Sequence, residues 1–301
     1  MAIKKLDAEL LPKIRKLDVH ARQSVLSEII EGNWTAIFKG HGMEFTGYRA
    51  YTYGDDASLI DWKASLRSKS LLVKEYEQEK SVNVYFMLDV SNSMLFTSTK
   101  KLKAEFGAEL VSSLAFAILG SGDAVGLSMF TDKLVTNLPL NVGKKMHYLM
   151  INDLSNVNNY GGNFDLGKSL NLLFSTLNSR AVIIIISDFI GLKQDWHKYL
   201  RIASQRYEVI GVMVRDPRDK VLPKGVGQYM LEDPFTGEKL YIDTDQYADA
   251  YKKYVMHEEA EIEQFFKVMR SDFISLTTDQ EFYKPLITFF KKRALTHRML
   301  A

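Results

Sequence analysis

The sequence predicts an α/β fold in which a doubly wound, mostly parallel, Rossmann-like sheet begins near Ser81. From this residue onward, strand-length apolar runs alternate with longer segments of helical periodicity, which is typical of parallel strands joined by crossover helices. The chain has 301 residues, of which 46% are hydrophobic and 25% charged, a composition ordinary for a folded protein. We therefore expect one α/β domain with an N-terminal helical and β-rich appendage and C-terminal helices.

The segment before Ser81 is predicted to form a separate unit. Apolar residues recur at helical spacing over residues 6–30, and Gly32 stands where a helix would stop. Residues 34–79 are richer in aromatic and β-branched residues with scattered glycine, which favours short strands. We divide the chain into residues 1–80, an N-terminal helix plus a small β-rich unit, and residues 81–301, the α/β domain.

The elements of the α/β domain follow from apolar periodicity along the chain. Strands are predicted over residues 82–88, 124–130, 134–138, 181–187 and 208–214, with helices over residues 101–119, 144–154, 166–177 and 194–204. After them come an edge hairpin, a long helix, a strand and a closing helix, over residues 227–242, 245–270, 273–276 and 279–293.

Composition excludes several function classes. A formal net charge of +2, from 39 basic and 37 acidic residues, gives no electrostatic footprint for nucleic acid. The absence of cysteine excludes disulfides, thiol catalysis and cysteine-ligated zinc. Residues 1–16 lack the apolar stretch of a signal peptide, and the longest apolar block, residues 181–186, is far shorter than the roughly 20 residues of a membrane helix. We expect a cytoplasmic protein with no direct membrane insertion.

Oxygen-bearing side chains follow two of the predicted strands. The first strand continues into Asp89, Ser91 and Ser93, and the run 181–187 is followed by Asp188. Ligands of an open α/β sheet bind beyond the carboxyl ends of the strands, where the strand order reverses. A set of carboxylates and hydroxyls suits a hard cation, so we expect Mg²⁺ first and Mn²⁺ or Ca²⁺ as alternatives. Such a cation can also bind a carboxylate presented by a protein partner.

These residues resemble the metal-ion-dependent adhesion site (MIDAS) of von Willebrand factor A domains, whose pattern is Asp-x-Ser-x-Ser with a distal threonine and a distal aspartate. Together with Gly54-Asp55-Asp56, Ile60-Asp61-Trp62, Gly122-Asp123 and Ser187-Asp188-Phe189, they make the chain similar to the DUF58 family over about residues 40–188. The resemblance implies a non-enzymatic interaction module with a MoxR-type AAA ATPase as partner, acting as an adaptor in assembly or chaperone-like maturation.

The third loop departs from the family pattern. Where the family usually has Gly-Thr-Asp-Leu, this chain has Asn163-Phe164-Asp165-Leu166, so that Phe164 stands at the threonine position. Phenylalanine cannot bind a metal. Asn163 or Asp165 supplies an oxygen instead, or the cation binds weakly or not at all, and the sequence leaves these alternatives open.

A different interpretation of Asp89 is enzymatic. A Mg²⁺-dependent phosphohydrolase of haloacid-dehalogenase type also places an aspartate, here Asp89, at the end of its first strand, but it needs a second aspartate two residues later, where this chain has Ser91. We therefore expect that the protein is not an enzyme.

The acidic residues Asp55, Asp56 and Asp61 with Trp62 are expected to fold back on their own domain rather than form a partner surface.

Overall fold

The computed structural model describes residues 43–78 and 82–300, and the first described unit is a small antiparallel sheet with one short helix. Strand β1 (Met43–Ala50) pairs with β2 (Leu72–Gln78), and helix α1 (Trp62–Ser68) lies between them in the chain. Helix α1 begins where the Asp61 carboxylate accepts hydrogen bonds from the backbone of its first turn. The helix predicted over residues 6–30 lies outside the described residues, and the division at residue 80 stays a prediction.

A six-stranded sheet forms the centre of the remaining chain. Five of its strands are parallel, and β5 alone runs antiparallel, along the edge beside β4. The predicted mostly parallel sheet is therefore confirmed. In chain order the strands of this part are β3 (Asn83–Asp89), β4 (Ala124–Phe130), β5 (Leu134–Asn141), β6 (Val182–Ser187), β7 (Glu208–Arg215), the separate hairpin β8 (Gln228–Glu232) and β9 (Lys239–Asp243), and β10 (Asp272–Thr277).

Helices connect these strands and cover both faces of the sheet. They are α2 (Lys103–Gly120), α3 (Lys144–Ser155), α4 (Leu166–Thr176), α5 (Trp196–Arg206), the short α6 (Pro217–Lys220), α7 (Thr244–Val268) and α8 (Tyr283–Leu300). Within the described ranges, none of the helices combines the length and the apolar character that crossing a membrane requires.

Each face of the sheet has its own apolar core. Val84, Phe86 and Leu88 of β3 pack with side chains from α2, α3 and α8, whereas Tyr85 and Met87 pack with side chains from α4, α5 and α7. Successive residues of a strand point to opposite faces, so a strand covered on both faces is apolar along its whole length. This accounts for the continuous apolar runs in the sequence.

The strand order places one crevice at the carboxyl edge. Across the sheet the order is β10, β7, β6, β3, β4, β5. From β3 the chain builds outward on one side through β4 and β5, and then returns to the other side of β3 with β6. The order therefore reverses at β3, and the carboxyl ends of β3 and β6 are neighbours at the point where open α/β sheets bind ligands.

Candidate functional site

The first loop of the site follows directly from β3. Asp89 is the last residue of the strand, and its Oδ1 accepts a hydrogen bond from the backbone N–H of Ser91 at 2.9 Å. The Oγ atoms of Ser91 and Ser93 lie 3.2 Å apart. None of the three side chains is more than 1% exposed. The turn thus points the carboxylate and both hydroxyls inward.

The loop after β6 meets the first loop through two side-chain hydrogen bonds. Ser187 Oγ donates to Asp89 Oδ2 at 2.6 Å, and Ser93 Oγ donates to Asp188 Oδ1 at 3.1 Å. Asp188 is fully buried. The structure therefore brings together four of the predicted site residues, Asp89, Ser91, Ser93 and Asp188, which we call the Asp89 cluster.

The third loop lies beside the first, since the backbone N–H of Gly162 donates to Asn92 Oδ1 at 2.8 Å, and its side chains have the following surroundings. Asn163 is exposed, and Phe164 is 3% exposed in the apolar core on the α4 face, with its ring centroid 6.2 Å from that of Phe130. Asp165 caps α4 by accepting from the backbone N–H of Lys168 at 2.9 Å, and it pairs with Lys193 at 2.6 Å. The hydrogen bonds that the structure gives Asp165 do not join it to the Asp89 cluster.

A buried lysine that no sequence pattern predicts lies beside the site. Lys103, the first residue of α2, is 1% exposed, and its Nζ lies 2.7 Å from both Asp188 Oδ2 and Asp219 Oδ2. Asp188 therefore turns one oxygen to Ser93 and the other to the ammonium group. In the sequence, a lysine near a helix start is ordinarily solvated, so no local signal marks Lys103 as buried.

A further buried carboxylate extends this polar network to the end of β7. Asp216 accepts hydrogen bonds from the backbone N–H of Ser98 at 2.7 Å and from the hydroxyls of Ser98 and Thr278. Its own backbone N–H donates to Asp219 Oδ2 at 2.9 Å. The carboxyl ends of three neighbouring strands thus carry buried aspartates that are linked through Lys103 and short polar loops.

Around Lys103, the buried carboxylates of Asp89, Asp188 and Asp219 outnumber the single ammonium group. Burial and, after it, the charge of Asp188 raise the pKa of Asp89, hydrogen bonds from Ser187 and Ser91 partly oppose the rise, and the net pKa is about 7. Burial by itself lowers the pKa of Lys103, but the two ion pairs with Asp188 and Asp219 more than offset this, so its pKa lies above the ordinary value. Lys103 stays charged, whereas Asp89 competes for a proton near neutral pH.

The donor set fits a hard cation only if the serines take part. In the described part of the chain, no three His, Asp or Glu side chains converge in a metal-binding arrangement. Two carboxylates and two hydroxyls nevertheless meet in the Asp89 cluster, and Mg²⁺ is commonly held by one or two carboxylates with water completing its shell. Asp89, Ser91, Ser93 and Asp188 are therefore the residues that would hold a cation.

The acidic residues near α1 have structural partners of their own. Asp55 accepts two hydrogen bonds from the Arg49 guanidinium, at 2.6 and 2.8 Å, and Asp61 caps α1 and accepts from Tyr48 Oη at 3.1 Å. These contacts agree with the expected structural role of the carboxylates. The expectation for Trp62 is wrong, because this residue is 63% exposed.

Fold and site together define an α/β domain with a mostly parallel sheet and an aspartate–serine cluster at the point where the strand order reverses. Residues 47–261 match the family model described as "Protein of unknown function DUF58". The chain belongs to this family, and the resemblance to the DUF58 family expected from the sequence is confirmed.

Relatives and solved structures give the following similarities. An uncharacterized protein of Mycobacterium tuberculosis is 24% identical over 290 residues, 95% of this chain and 90% of that protein. The uncharacterized protein YeaD of Bacillus subtilis is 28% identical over 92 residues, 31% of this chain and 21% of YeaD. The crystal structure of BatB from Bacteroides thetaiotaomicron has 16% identity and a TM-score of 0.48, covering 71% of this chain and 99% of BatB. A von Willebrand factor type A structure from Catenulispora acidiphila has 14% identity and a TM-score of 0.36, covering 48% of this chain and 35% of that one.

Proposed function

We propose that this protein is a non-enzymatic, divalent-cation-dependent protein-interaction module. The observation that carries the proposal is the hydrogen-bonded arrangement of Asp89, Ser91, Ser93 and Asp188 at the reversal point of the sheet. Mg²⁺ is the preferred cation, with Mn²⁺ and Ca²⁺ as alternatives, because all the side-chain donors are oxygens.

Each residue of the cluster has a distinct part in this proposal. Asp89 and Asp188 supply negative charge, and Ser91 and Ser93 supply neutral oxygens that avoid adding further charge. When bound, the cation supplies a positive centre to which a carboxylate of a partner protein can bind. Lys103 neutralises the side of Asp188 that faces away from Ser93, which limits the charge left for the cation to balance.

The surroundings of Asp89 support binding rather than catalysis. Both of its oxygens accept hydrogen bonds, one from the Ser91 backbone and one from Ser187 Oγ. A phosphohydrolase of haloacid-dehalogenase type needs a free carboxylate nucleophile and a carboxylic acid two residues later. Ser91 stands at that second position and offers no carboxyl group.

The partner is proposed from the family resemblance alone. DUF58 resemblance implies a MoxR-type AAA ATPase, with this chain acting as an adaptor in an assembly or chaperone-like task in the cytoplasm. The nearly balanced charge of the chain supports a protein partner rather than nucleic acid.

Thermal melts in EDTA, Mg²⁺, Mn²⁺ and Ca²⁺ test the cation dependence. A ligand at 100 times its dissociation constant stabilises the folded state by about 2.7 kcal/mol, which is a readily measured shift in Tm. Wild type and Asp89→Asn are compared with Asp249→Asn, the same chemical change at an aspartate on α7 whose side chain is 76% exposed. We expect a shift in wild type and Asp249→Asn that is absent in Asp89→Asn. A shift that survives in Asp89→Asn contradicts the proposed site, and no shift in wild type at saturating cation contradicts cation dependence.

A further inference from the structure

The tip of the β8–β9 hairpin, residues 233–237, lies against the first loop of the site. Asn92, which stands between Ser91 and Ser93, donates a hydrogen bond from Nδ2 to the backbone carbonyl oxygen of Pro234 at 3.1 Å. The two residues are 142 positions apart in the chain. The hairpin therefore folds back from the far part of the domain onto the loop that carries the candidate ligands.

The same tip also touches the loop after β6. Gly191 lies three residues beyond Asp188, and a Cβ atom added to it would be 2.9 Å from Cε2 of Phe235. The Phe235 ring thus rests directly on the Gly191 backbone. Glycine is required there twice over, since Gly191 also has a φ of +80°, a conformation that other residues rarely adopt.

Asn92 is held in place from the other side, independently of the hairpin. Its Oδ1 accepts from the backbone N–H of Gly162 at 2.8 Å, and its own N–H donates to the Gly162 carbonyl at 2.9 Å. If the hairpin moved away, the bond from Gly162 to Oδ1 would still hold the side chain, and the bond to the Gly162 carbonyl would still hold the backbone. The Nδ2 donor would then be presented to another molecule.

The hairpin itself is loosely attached to the domain. Strands β8 and β9 pair only with each other, and every residue in them is exposed or half-buried. Its base is held at Gly227, whose carbonyl accepts from both the N–H and the hydroxyl of Thr244 at 3.0 Å. A two-stranded ribbon with few buried apolar contacts is marginal on its own and opens at low free-energy cost.

We infer that the hairpin tip occupies the surface through which a protein partner reaches the Asp89 cluster, and that the partner binds by displacing the tip. With the tip in place, the four cluster residues are at most 1% exposed, so no external carboxylate can contact them. The role of a partner in this inference rests on the proposed function, whereas the contacts of the tip with Asn92 and Gly191 do not.

The contacts of the tip describe what a partner must offer in exchange. A backbone carbonyl or other acceptor is needed for Asn92 Nδ2, and a flat apolar side chain is needed for the hollow above Gly191. A loop that carries an aromatic residue near an acidic one meets both needs and brings the carboxylate for the cation.

A thiol introduced by Ser91→Cys reports on the cover, because the natural chain has no cysteine. We measure the rate at which this thiol reacts with a small thiol reagent in EDTA, without cation or partner. The Ser91→Cys protein is compared with two variants of it. One adds Phe235→Ala, and the other replaces residues 233–237 by two glycines. The matched control adds Tyr241→Ala, which removes an aromatic ring that is 69% exposed on the same hairpin.

We expect Phe235→Ala to raise the labelling rate by about tenfold, which corresponds to about 1.4 kcal/mol less free energy of opening, and the replacement to raise it further. Tyr241→Ala should leave the rate within about twofold, since it removes no buried contact. Melting curves of each variant confirm that labelling occurs in the folded state. The inference is overturned if the labelling rate is unchanged in both folded tip variants. It is also overturned if the thiol, with the tip intact, is labelled as fast as in the unfolded protein. Because no cation is present, this experiment tests whether the tip shields the cluster, and its outcome does not depend on whether the cluster binds a cation.

Discussion

Lys103 and Asp188 form a buried ion pair at the edge of the candidate site, with Nζ 2.7 Å from Oδ2 and side chains that are 1% and 0% exposed. The same ammonium group lies 2.7 Å from Asp219 Oδ2. Because both carboxylates are removed from water, their charge must be balanced locally. Lys103 supplies one positive charge to these two carboxylates.

Removing the Lys103 charge should therefore destabilise the protein strongly. Lys103→Met keeps most of the side-chain volume but leaves two buried carboxylates without their partner, a change that typically costs about 3–5 kcal/mol. Lys193→Met is the matched control, because Lys193 also pairs with an aspartate at 2.6 Å but its side chain is 56% exposed. For such a surface pair we expect a loss of at most about 1 kcal/mol. Urea denaturation in EDTA measures the free energy of unfolding of both variants. Equal losses of stability would contradict the stabilising role of the buried ion pair.

Substitutions in the first and the third loop should show which of the two loops supplies ligands to the cation. Ser93→Ala removes a hydroxyl that contacts both Ser91 and Asp188. We therefore expect the Mg²⁺-induced shift in Tm to fall to less than half of its wild-type size. Asn163→Ala changes an exposed side chain and should leave the shift unchanged. If Asn163→Ala removes the shift and Ser93→Ala does not, the cation lies at the third loop instead.

Stability in EDTA should fall as the pH rises from about 4 to about 7. The unfolded chain releases the Asp89 proton near the ordinary pKa of about 3.9, whereas burial raises the pKa of Asp89 in the folded state to about 7. Between these values the folded state binds more protons than the unfolded state, so stability decreases with pH and then levels off. Asp89→Asn should lack this decrease. Urea midpoints measured from pH 4.5 to 8.5 test this, and identical pH profiles for the two proteins would contradict it.

Cation binding should depend on pH through the same carboxylate. Since the cation must displace the proton from Asp89, the Mg²⁺-induced shift in Tm should be larger at pH 8 than at pH 6. Asp249→Asn should show the same trend as wild type, because Asp249 is an exposed surface residue. A shift that is equal at the two pH values would indicate a site that does not include Asp89.

Phosphatase assays address the competing enzymatic interpretation. With a generic phosphomonoester and Mg²⁺ we expect no turnover above that of Asp89→Asn, because Ser91 stands where the general acid would be needed. Sustained turnover in wild type that Asp89→Asn abolishes would favour the phosphohydrolase over the interaction module.

The sequence allowed the prediction of the Asp89 cluster for a simple geometric reason. Carboxyl ends of adjacent parallel strands meet at one edge, so Asp89 and Asp188 could be placed together once their strands were recognised. Lys103 could not be found in this way, because its partners lie 85 and 116 residues away and its local pattern is that of a solvated helix start. The hairpin was predicted from its turn residues, but the prediction that it decorates an edge of the sheet is wrong, because β8 and β9 pair only with each other and the tip contacts Asn92. This position depends on tertiary packing that no local pattern encodes.

Cation binding at the Asp89 cluster is measured by titrating the protein with Mn²⁺ and following the loss of the free-ion electron paramagnetic resonance signal. At pH 8 we expect one bound Mn²⁺ per chain in wild type, displaced by Mg²⁺, unchanged in Asp249→Asn and lost in Asp89→Asn. Absence of Mn²⁺ binding in wild type, or one ion bound equally by wild type and Asp89→Asn, would contradict a cation site at the Asp89 cluster.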